Sequence, residues 1–455
     1  MVTGSCYWLQ GDSGGLVVDM GMFQGLNSRE LNAKWPEIDV SLLNGVLVTH
    51  AHLDHGGRLP LLIKMGYKGK VYMTAATRDL VELSLYDTVK ISKEYGGDSL
   101  FNEENVVQLL SQVELLEIGE TKILGEFKVG FHRAGHILGA VSIRVGAEGK
   151  LVVFSGDVGT GESPLILPPE PPDRADVVVL ESTYGDRLHE DEDEKAALTE
   201  EITKTYKDRG TLLIPVFSIQ RSQRILHLLD HIQQEGGLPR GMRVYFDSPM
   251  AIEATKIFGK YRQYYGGELL GHVKKDDPFD FPGLVVTRQA WEKKIIRKDK
   301  KAKIIIAGSG MMSGGRIMGH AKEYLSKRST RLLIVGYQAV GTLGRQIVDI
   351  KLPHFTSEQS RSESKPVPMR NTVNIDGVEV EVNAGVRQIQ SMSAHADQKQ
   401  LLEWLSKIKG IRKVILTHGE DEPRQVLGEK ILNQVQDDDV KPEVIKPGLG
   451  DEIVV

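Results

Sequence analysis

The sequence predicts an α/β fold in two parts, and three observations carry that prediction. At 455 residues the chain exceeds what one ordinary hydrophobic core holds, so it divides into domains. Up to Leu188 it reads mostly as strands, with apolar runs at 45–49, 70–74, 123–131, 141–145, 150–154 and 177–181. Beyond Leu188 strands and helices alternate, the pattern of a parallel sheet. The middle of the chain therefore forms a separate α/β unit.

The elements follow in order. Val2 to Leu9 and Leu16 to Asp19 flank the turn Gly11-Asp12-Ser13-Gly14-Gly15 and read as a hairpin. The next apolar runs rarely alternate with polar residues, so helices are expected over their outer faces. Leu80 to Lys93 supplies one such helix. Residues 189–209 are charged and helical, closed by Gly210. After a strand from Thr211 to Phe217, a helix carries Ile225, Leu228, Leu229 and Ile232 on one face, a core stripe of 3.6 period. Strands at Met242 to Phe246, Lys303 to Ala307 and Arg331 to Gly336 then alternate with helices from Met250 and at Arg316 to Lys327. Residues 351–371 are rich in Ser, Pro and charge and read as an exposed loop. Strands return at 372–383. Val386 to Met392 and Lys413 to Thr417 each lead into a histidine-bearing segment.

Composition narrows the class. Hydrophobic content of 40% and charged content of 26% describe a globular protein. The single cysteine, Cys6, excludes an internal disulfide and a thiolate zinc site. The N-terminus lacks the basic flank and apolar centre of a signal peptide. No apolar run approaches the ~20 residues of a membrane span, so the expected location is cytoplasmic and no membrane partner is expected. A net charge of −5 leaves any attraction for a polyanion to local basic groups. The stretch Lys293, Lys294, Arg297, Lys298, Lys300, Lys301 and Lys303 reads as a solvated surface helix and turn.

Chemistry concentrates where apolar runs end. His50-Ala51-His52-Leu53-Asp54-His55 follows Gly45 to Thr49 directly. Three imidazoles and a carboxylate within six residues suit metal, since zinc takes imidazole nitrogens and carboxylate oxygens at about 2.0–2.2 Å. Other runs end in Gly135-His136, Ser155-Gly156-Asp157, Glu181-Ser182-Thr183 and His418-Gly419-Glu420. Strand ends gathered on one rim are where an α/β scaffold places its chemistry.

The order of these motifs resembles the metallo-β-lactamase fold: His-x-His-x-Asp-His, the later His136, the later Gly156-Asp157 and the early Asp19. The resemblance implies a four-layer αβ/βα sandwich with two Zn2+ per chain along one edge. One ion is expected on His50, His52 and His136, the second on Asp54 and His55, with Asp157 bridging and Asp19 orienting the site from behind. Glu181 to Gly185, Ser393 to Asp397 and Leu416 to Glu420 look like the three extra motifs of the β-CASP nucleases. Asp247-Ser248-Pro249-Met250, Ala307 to Met311, Gly314-Gly315-Arg316 and Gly341 to Arg345 fit the same family. The motifs span essentially the whole chain in the family's order. They imply a metallo-β-lactamase domain over 1–188 and 384–455, with an inserted β-CASP domain over 189–383. The nearest look-alikes are bacterial and archaeal relatives of the cleavage subunit of pre-mRNA 3′-end processing.

The resemblance implies a zinc-dependent endoribonuclease that uses a metal-activated hydroxide and leaves a 5′-phosphate and a 3′-hydroxyl, and it leaves open whether 5′→3′ exonuclease trimming accompanies internal cutting. A narrow slot excludes a duplex and exposes bases for stacking, so single-stranded RNA is the expected substrate. His395, paired with Glu181, is expected to protonate the leaving oxygen, and His418 to join the second metal. The glycine-rich turn 307–315 precedes a helix, an arrangement that suits phosphate. With the family pattern, Ser309 and Arg316 become the expected RNA-phosphate contacts, and Arg221 and Arg345 weaker ones. A homodimer is compatible with the family, though no stretch marks an interface.

Three other readings remain. A thioesterase or lactonase shares the His-x-His-x-Asp-His core but needs no insertion like 189–383. A DNA nuclease of the same superfamily typically lacks a histidine in the third extra motif, so His418 favours RNA. A non-catalytic scaffold would have lost ligands, and here every matched position is filled.

Overall fold

The computed structural model describes residues 4–25, 27–94, 99–161, 163–352, 371–434 and 441–455. Most of the expected loop at 351–371 lies outside them. The chain forms two compact units. The first comprises Met1–Leu188, Lys260–Glu268 and Ala394–Val455, the second His189–Gly259 and Leu269–Ser393.

The first unit holds two sheets. One has five strands in the order Tyr7–Gln10, Gly15–Val18, Leu43–Leu47, Val71–Met73 and Val113–Leu115. Its first pair is an antiparallel hairpin and the rest run parallel. The other has seven, in the order Glu443–Ile445, Lys413–Thr417, Val177–Glu181, Lys150–Phe154, Val141–Ala147, Phe127–Arg133 and Thr121–Leu124. The sheets face each other across one core that joins Leu16, Val18 and Leu47 of the first to Val129, Phe131, Ile143, Phe154, Val179 and Ile415 of the second. Behind the second sheet, Val153, Val178, Leu180, Val414 and Leu416 pack on Leu401, Leu405, Leu427 and Ile431 of the helices Gln398–Ser406 and Asp421–Gln434. On the first sheet, Val17, Val46 and Val48 are also fully buried. The helices Leu59–Lys64 and Ala75–Glu94 also carry buried apolar residues. This is the αβ/βα layering. It explains why runs such as Val177-Val178-Val179-Leu180 are apolar without alternation: both faces are covered. Each such side chain contributes about 1.5–3 kcal/mol on burial.

The second unit has one six-stranded parallel sheet, ordered Leu284–Val286, Arg243–Phe246, Lys303–Ala307, Thr211–Pro215, Thr330–Ile334 and Gly385–Gln388. A separate antiparallel hairpin, Thr372–Ile375 with Val378–Glu381, packs Val373, Ile375 and Val380 into the unit's core.

The division differs from the sequence expectation in two places. Gly385–Gln388 pairs in parallel with Thr330–Ile334, so the inserted unit runs on to Ser393 rather than ending at 383. Residues Lys260–Glu268 rejoin the first unit. There the Tyr261 hydroxyl donates to Asp79 at 3.0 Å and the Tyr264 hydroxyl to Glu117 at 2.5 Å. Neither exchange has a composition signal, because both depend on long-range pairing. The charged helix also starts later than 189, at Glu194, where the Asp193 side chain accepts the Ala196 N–H and caps it. No helix of the described residues is long and apolar enough to cross a membrane.

Candidate metal centre

The first unit gathers its ligand-type residues at strand ends. The segment leaving Leu43–Leu47 is held by Asp19. One carboxylate oxygen accepts the Thr49 N–H at 2.7 Å, and the other meets the Thr49 hydroxyl and His55 Nδ1, both at 2.7 Å. His52 stands at the N-cap of the short helix Leu53–Gly56. Gly156 precedes Asp157 at φ +57°, and a Cβ there would lie 2.9 Å from Thr49 Cβ. Glycine alone accommodates both demands. His418, at φ +47°, holds a left-handed conformation that non-glycine residues adopt mainly where surrounding contacts enforce it.

Two groups of donors result. His50, His52, His136 and Asp157 each offer a ligand atom within 4.8 Å of the others, as do Asp54, His55 and His418. Asp157 faces both groups. Its Oδ2 lies 3.4 Å from His50 Nε2 and 3.5 Å from His136 Nε2. Its Oδ1 lies 3.1 Å from His55 Nε2 and 3.6 Å from His418 Nε2. His52 turns Nδ1 toward His50 and His136, 3.1 Å from the Nε2 of each.

The opposite ring nitrogens are engaged elsewhere. His136 Nδ1 meets the Ala394 carbonyl at 3.1 Å, His418 Nδ1 the Ser5 hydroxyl at 3.0 Å and His50 Nδ1 the Thr49 hydroxyl at 3.1 Å. Partners of this kind fix an imidazole's orientation and aim its other nitrogen. Ser5 and Thr49 had no signal in the sequence, being ordinary hydroxyl residues outside any motif.

The donors fit a metal. His55 Nε2 and Asp157 Oδ1 are buried and face each other at 3.1 Å, yet neither has a hydrogen-bond partner among the described residues. Burial, then neighbouring His55, lowers the pKa of His50 to about 3. Burial, then His50, lowers that of His52 to about 3, and burial holds His136 well below the usual range. These rings stay neutral, with lone pairs to offer. Burial opposes ionisation of Asp157, but the surrounding imidazoles, His418 and His55 foremost, outweigh it and depress its pKa. At His55 burial likewise opposes charge, and the carboxylates of Asp157 and Asp19 outweigh it. The centre calls for positive charge, and imidazole and carboxylate donors suit a first-row transition metal better than calcium or magnesium.

Beside this centre, His395 Nδ1 lies 3.1 and 3.3 Å from the two oxygens of Glu181. Its Nε2 lies 3.9 Å from Asp157 Oδ2. Glu181 is itself oriented by the Val158 N–H at 2.8 Å and the Thr183 N–H at 3.2 Å. The segment carrying His395 is fixed by the Ala396 N–H on the Val158 carbonyl at 2.8 Å. A capping box between Asp397 and Gln400 starts the next helix. Burial opposes charge on His395, but Glu181 and Asp157 raise its pKa to about 9.

Ser309 and Arg316 belong to the second unit. Arg316 directs its guanidinium at Asp247 and at the carbonyls of Thr287 and Arg288, at 3.1 and 2.7 Å. The Ser309 hydroxyl accepts the Ser313 N–H at 3.0 Å, and the Ile317 N–H reaches the Gly308 carbonyl at 2.9 Å. The amides expected to be open for phosphate are thus partly used within the turn. Arg345 pairs with Asp349 one helical turn on, at 2.8 Å, and Arg221 is buried.

Three family descriptions match the chain: Metallo-beta-lactamase superfamily over residues 2–194, Beta-Casp domain over 222–347, and Zn-dependent metallo-hydrolase RNA specificity domain over 379–440. Ribonuclease TTHA0252 of Thermus thermophilus is 36% identical over 96% of this chain and 95% of its own length. The chain belongs to the β-CASP family of the metallo-β-lactamase fold. Another member, an RNase J-like protein of Methanocaldococcus jannaschii, is 31% identical over 91% of this chain and 89% of its own. Transcription termination factor FttA of the same organism is 30% identical over 92% of this chain and 65% of its own. A crystal structure of an Enterococcus faecalis protein of unknown function shares the fold, with a TM-score of 0.53 at 12% identity over 100% of this chain and 97% of that one. In this β-CASP protein, His50 through Glu181 fall in the superfamily segment, and His395 and His418 in the RNA specificity segment. Metal dependence comes with the family.

Proposed function

We propose that the protein is a ribonuclease that hydrolyses phosphodiester bonds of single-stranded RNA with two zinc ions. The observation that carries the two-metal reading is Asp157, which presents one oxygen to His50 and His136 and the other to His55 and His418. His50, His52, His136 and Asp157 would hold one ion, and Asp54, His55, His418 and Asp157 the other. When bound, zinc lowers the pKa of water enough to supply hydroxide near neutral pH.

The remaining steps fall to the chain's own residues. Glu181 accepts a hydrogen bond from the Nδ1–H of His395, which leaves Nε2 to carry the proton that moves. With a pKa near 9, His395 is protonated at neutral pH and donates from Nε2 to the departing 3′ oxygen as the P–O3′ bond breaks. The water oxygen stays on phosphorus, so the products are a 5′-phosphate and a 3′-hydroxyl. Asp19 and Thr49 keep the donor loop in register throughout. The names of the relatives, ribonuclease and RNase J-like, support RNA as substrate, and the second unit distinguishes the chain from small-molecule hydrolases built on the core alone.

The test uses RNA and DNA of equal sequence, labelled at the 5′ end, with and without a chelator. Internal cutting of RNA that stops on chelation supports the proposal. Cleavage that persists without metal, or turnover of a thioester in place of RNA, defeats it.

A further inference from the structure

The second unit contains another histidine cluster that no motif marks. The helix Arg221–Gln234 carries His227 and His231 four residues apart, on one face. Their Nε2 atoms are 3.2 Å apart. The ring of His272, at the end of the helix Gly267–His272, stands 5.2 and 5.0 Å from theirs, centroid to centroid. One nitrogen of each ring lies within 4.8 Å of the other two.

Asp230 Oδ2 and Asp276 Oδ1 each lie 2.8 Å from His272 Nε2. His272 Nδ1 is buried and has no hydrogen-bond partner among the described residues. His227 is 1% exposed. Three close imidazoles, one backed by carboxylates, form the donor set of a nitrogen-ligated first-row cation. Calcium and magnesium prefer oxygen cages, and no thiolate is at hand for softer ions.

We propose that His227, His231 and His272 bind a second kind of zinc site, three-coordinate in protein ligands with water as the fourth, in which Asp230 and Asp276 orient His272. The site shares no residue with the centre described above. It ties the helix Arg221–Gln234 to the segment around His272 within the second unit.

The test removes the first centre and asks what metal stays. Full-length protein carrying His136→Ala, Asp157→Ala and His418→Ala, which leaves neither donor set of the first centre with three ligands, is loaded with zinc, dialysed and assayed for metal. About one equivalent per chain is expected to remain, with a zinc-edge absorption spectrum showing nitrogen neighbours at about 2.0–2.1 Å. Adding His227→Gln and His231→Gln should remove it. Asp276→Asn, a change at an exposed carboxylate, should weaken zinc binding about 10- to 100-fold and serves if the double variant does not fold. Folded background protein that retains no zinc overturns the proposal. So does zinc retained without His227 and His231, or affinity unchanged by Asp276→Asn. None of these readouts depends on RNA cleavage, so failure here leaves the ribonuclease reading untouched.

Discussion

Glu181 Oε1 stands 3.1 Å from His395 Nδ1 although 214 positions separate the two residues. Because two backbone amides already orient Glu181, the imidazole docks on a fixed carboxylate rather than a mobile one. His395→Ala should then lower RNA cleavage about 100- to 10,000-fold while the protein keeps its metal. Glu181→Gln keeps a hydrogen-bond acceptor but loses the charge, so its loss should be smaller. Cleavage kinetics alongside metal analysis check this, and metal lost with His395→Ala would refute a role confined to proton transfer.

Asp157 and Asp19 should separate cleanly. Asp157→Ala removes the group that faces both donor sets, so cleavage and at least one bound metal should go together. Asp19→Asn perturbs only what holds Thr49 and His55 Nδ1. Metal affinity should fall about 10- to 100-fold, with activity recovered by added zinc. Competition against a chelator measures both, and a full metal complement in Asp157→Ala would contradict the bridging assignment.

In the second unit, Asp247 is fully buried against His320, Thr287 and Arg316. Burial raises its pKa, but these partners outweigh burial and bring it down to about 2. A depressed carboxyl stabilises the folded state above its unfolded pKa of about 3.9. That stability, about 2–3 kcal/mol, is lost as pH falls toward 2. Urea unfolding at stepped pH should show this slope, and Asp247→Asn should flatten it. A slope unchanged in the variant would mean that other carboxyls carry the acid sensitivity.

Gly156→Ala tests the backbone beneath the centre. The left-handed conformation costs a non-glycine residue about 1–2 kcal/mol, and the new Cβ meets Thr49. A lower melting temperature together with weaker metal binding is the expected result, read by calorimetry and zinc titration. Melting that falls with metal affinity intact would uncouple Gly156 from the centre.

Most of the first unit was legible because its signals are local. Val177 to Leu180 declare a doubly covered strand, and His50 to His55 declare a donor loop, within a few residues each. The inserted unit was legible as alternation but not in its limits. Gly385–Gln388 looks like any short strand until it pairs with Thr330–Ile334. The helix Arg221–Gln234 hid its histidines in an apolar pattern. Ile225, Leu229 and Ile232 do face the core, but His227 and Asp230 are buried as well, and a 3.6 period cannot say which polar residues follow the apolar ones inside.

The His50 to His55 cluster, its place at a strand end and the order of the later motifs were determined by the sequence alone. Periodicity and side-chain chemistry act over a few residues and need no partner to be read. Only the tertiary structure decided which hydroxyl holds which imidazole, as with Ser5 and His418 across 413 positions. It also decided that Asp157 faces two donor sets at once, and that Arg316 serves Asp247. Those contacts depend on how two sheets pack and where strand ends meet, and that geometry belongs to the folded chain as a whole.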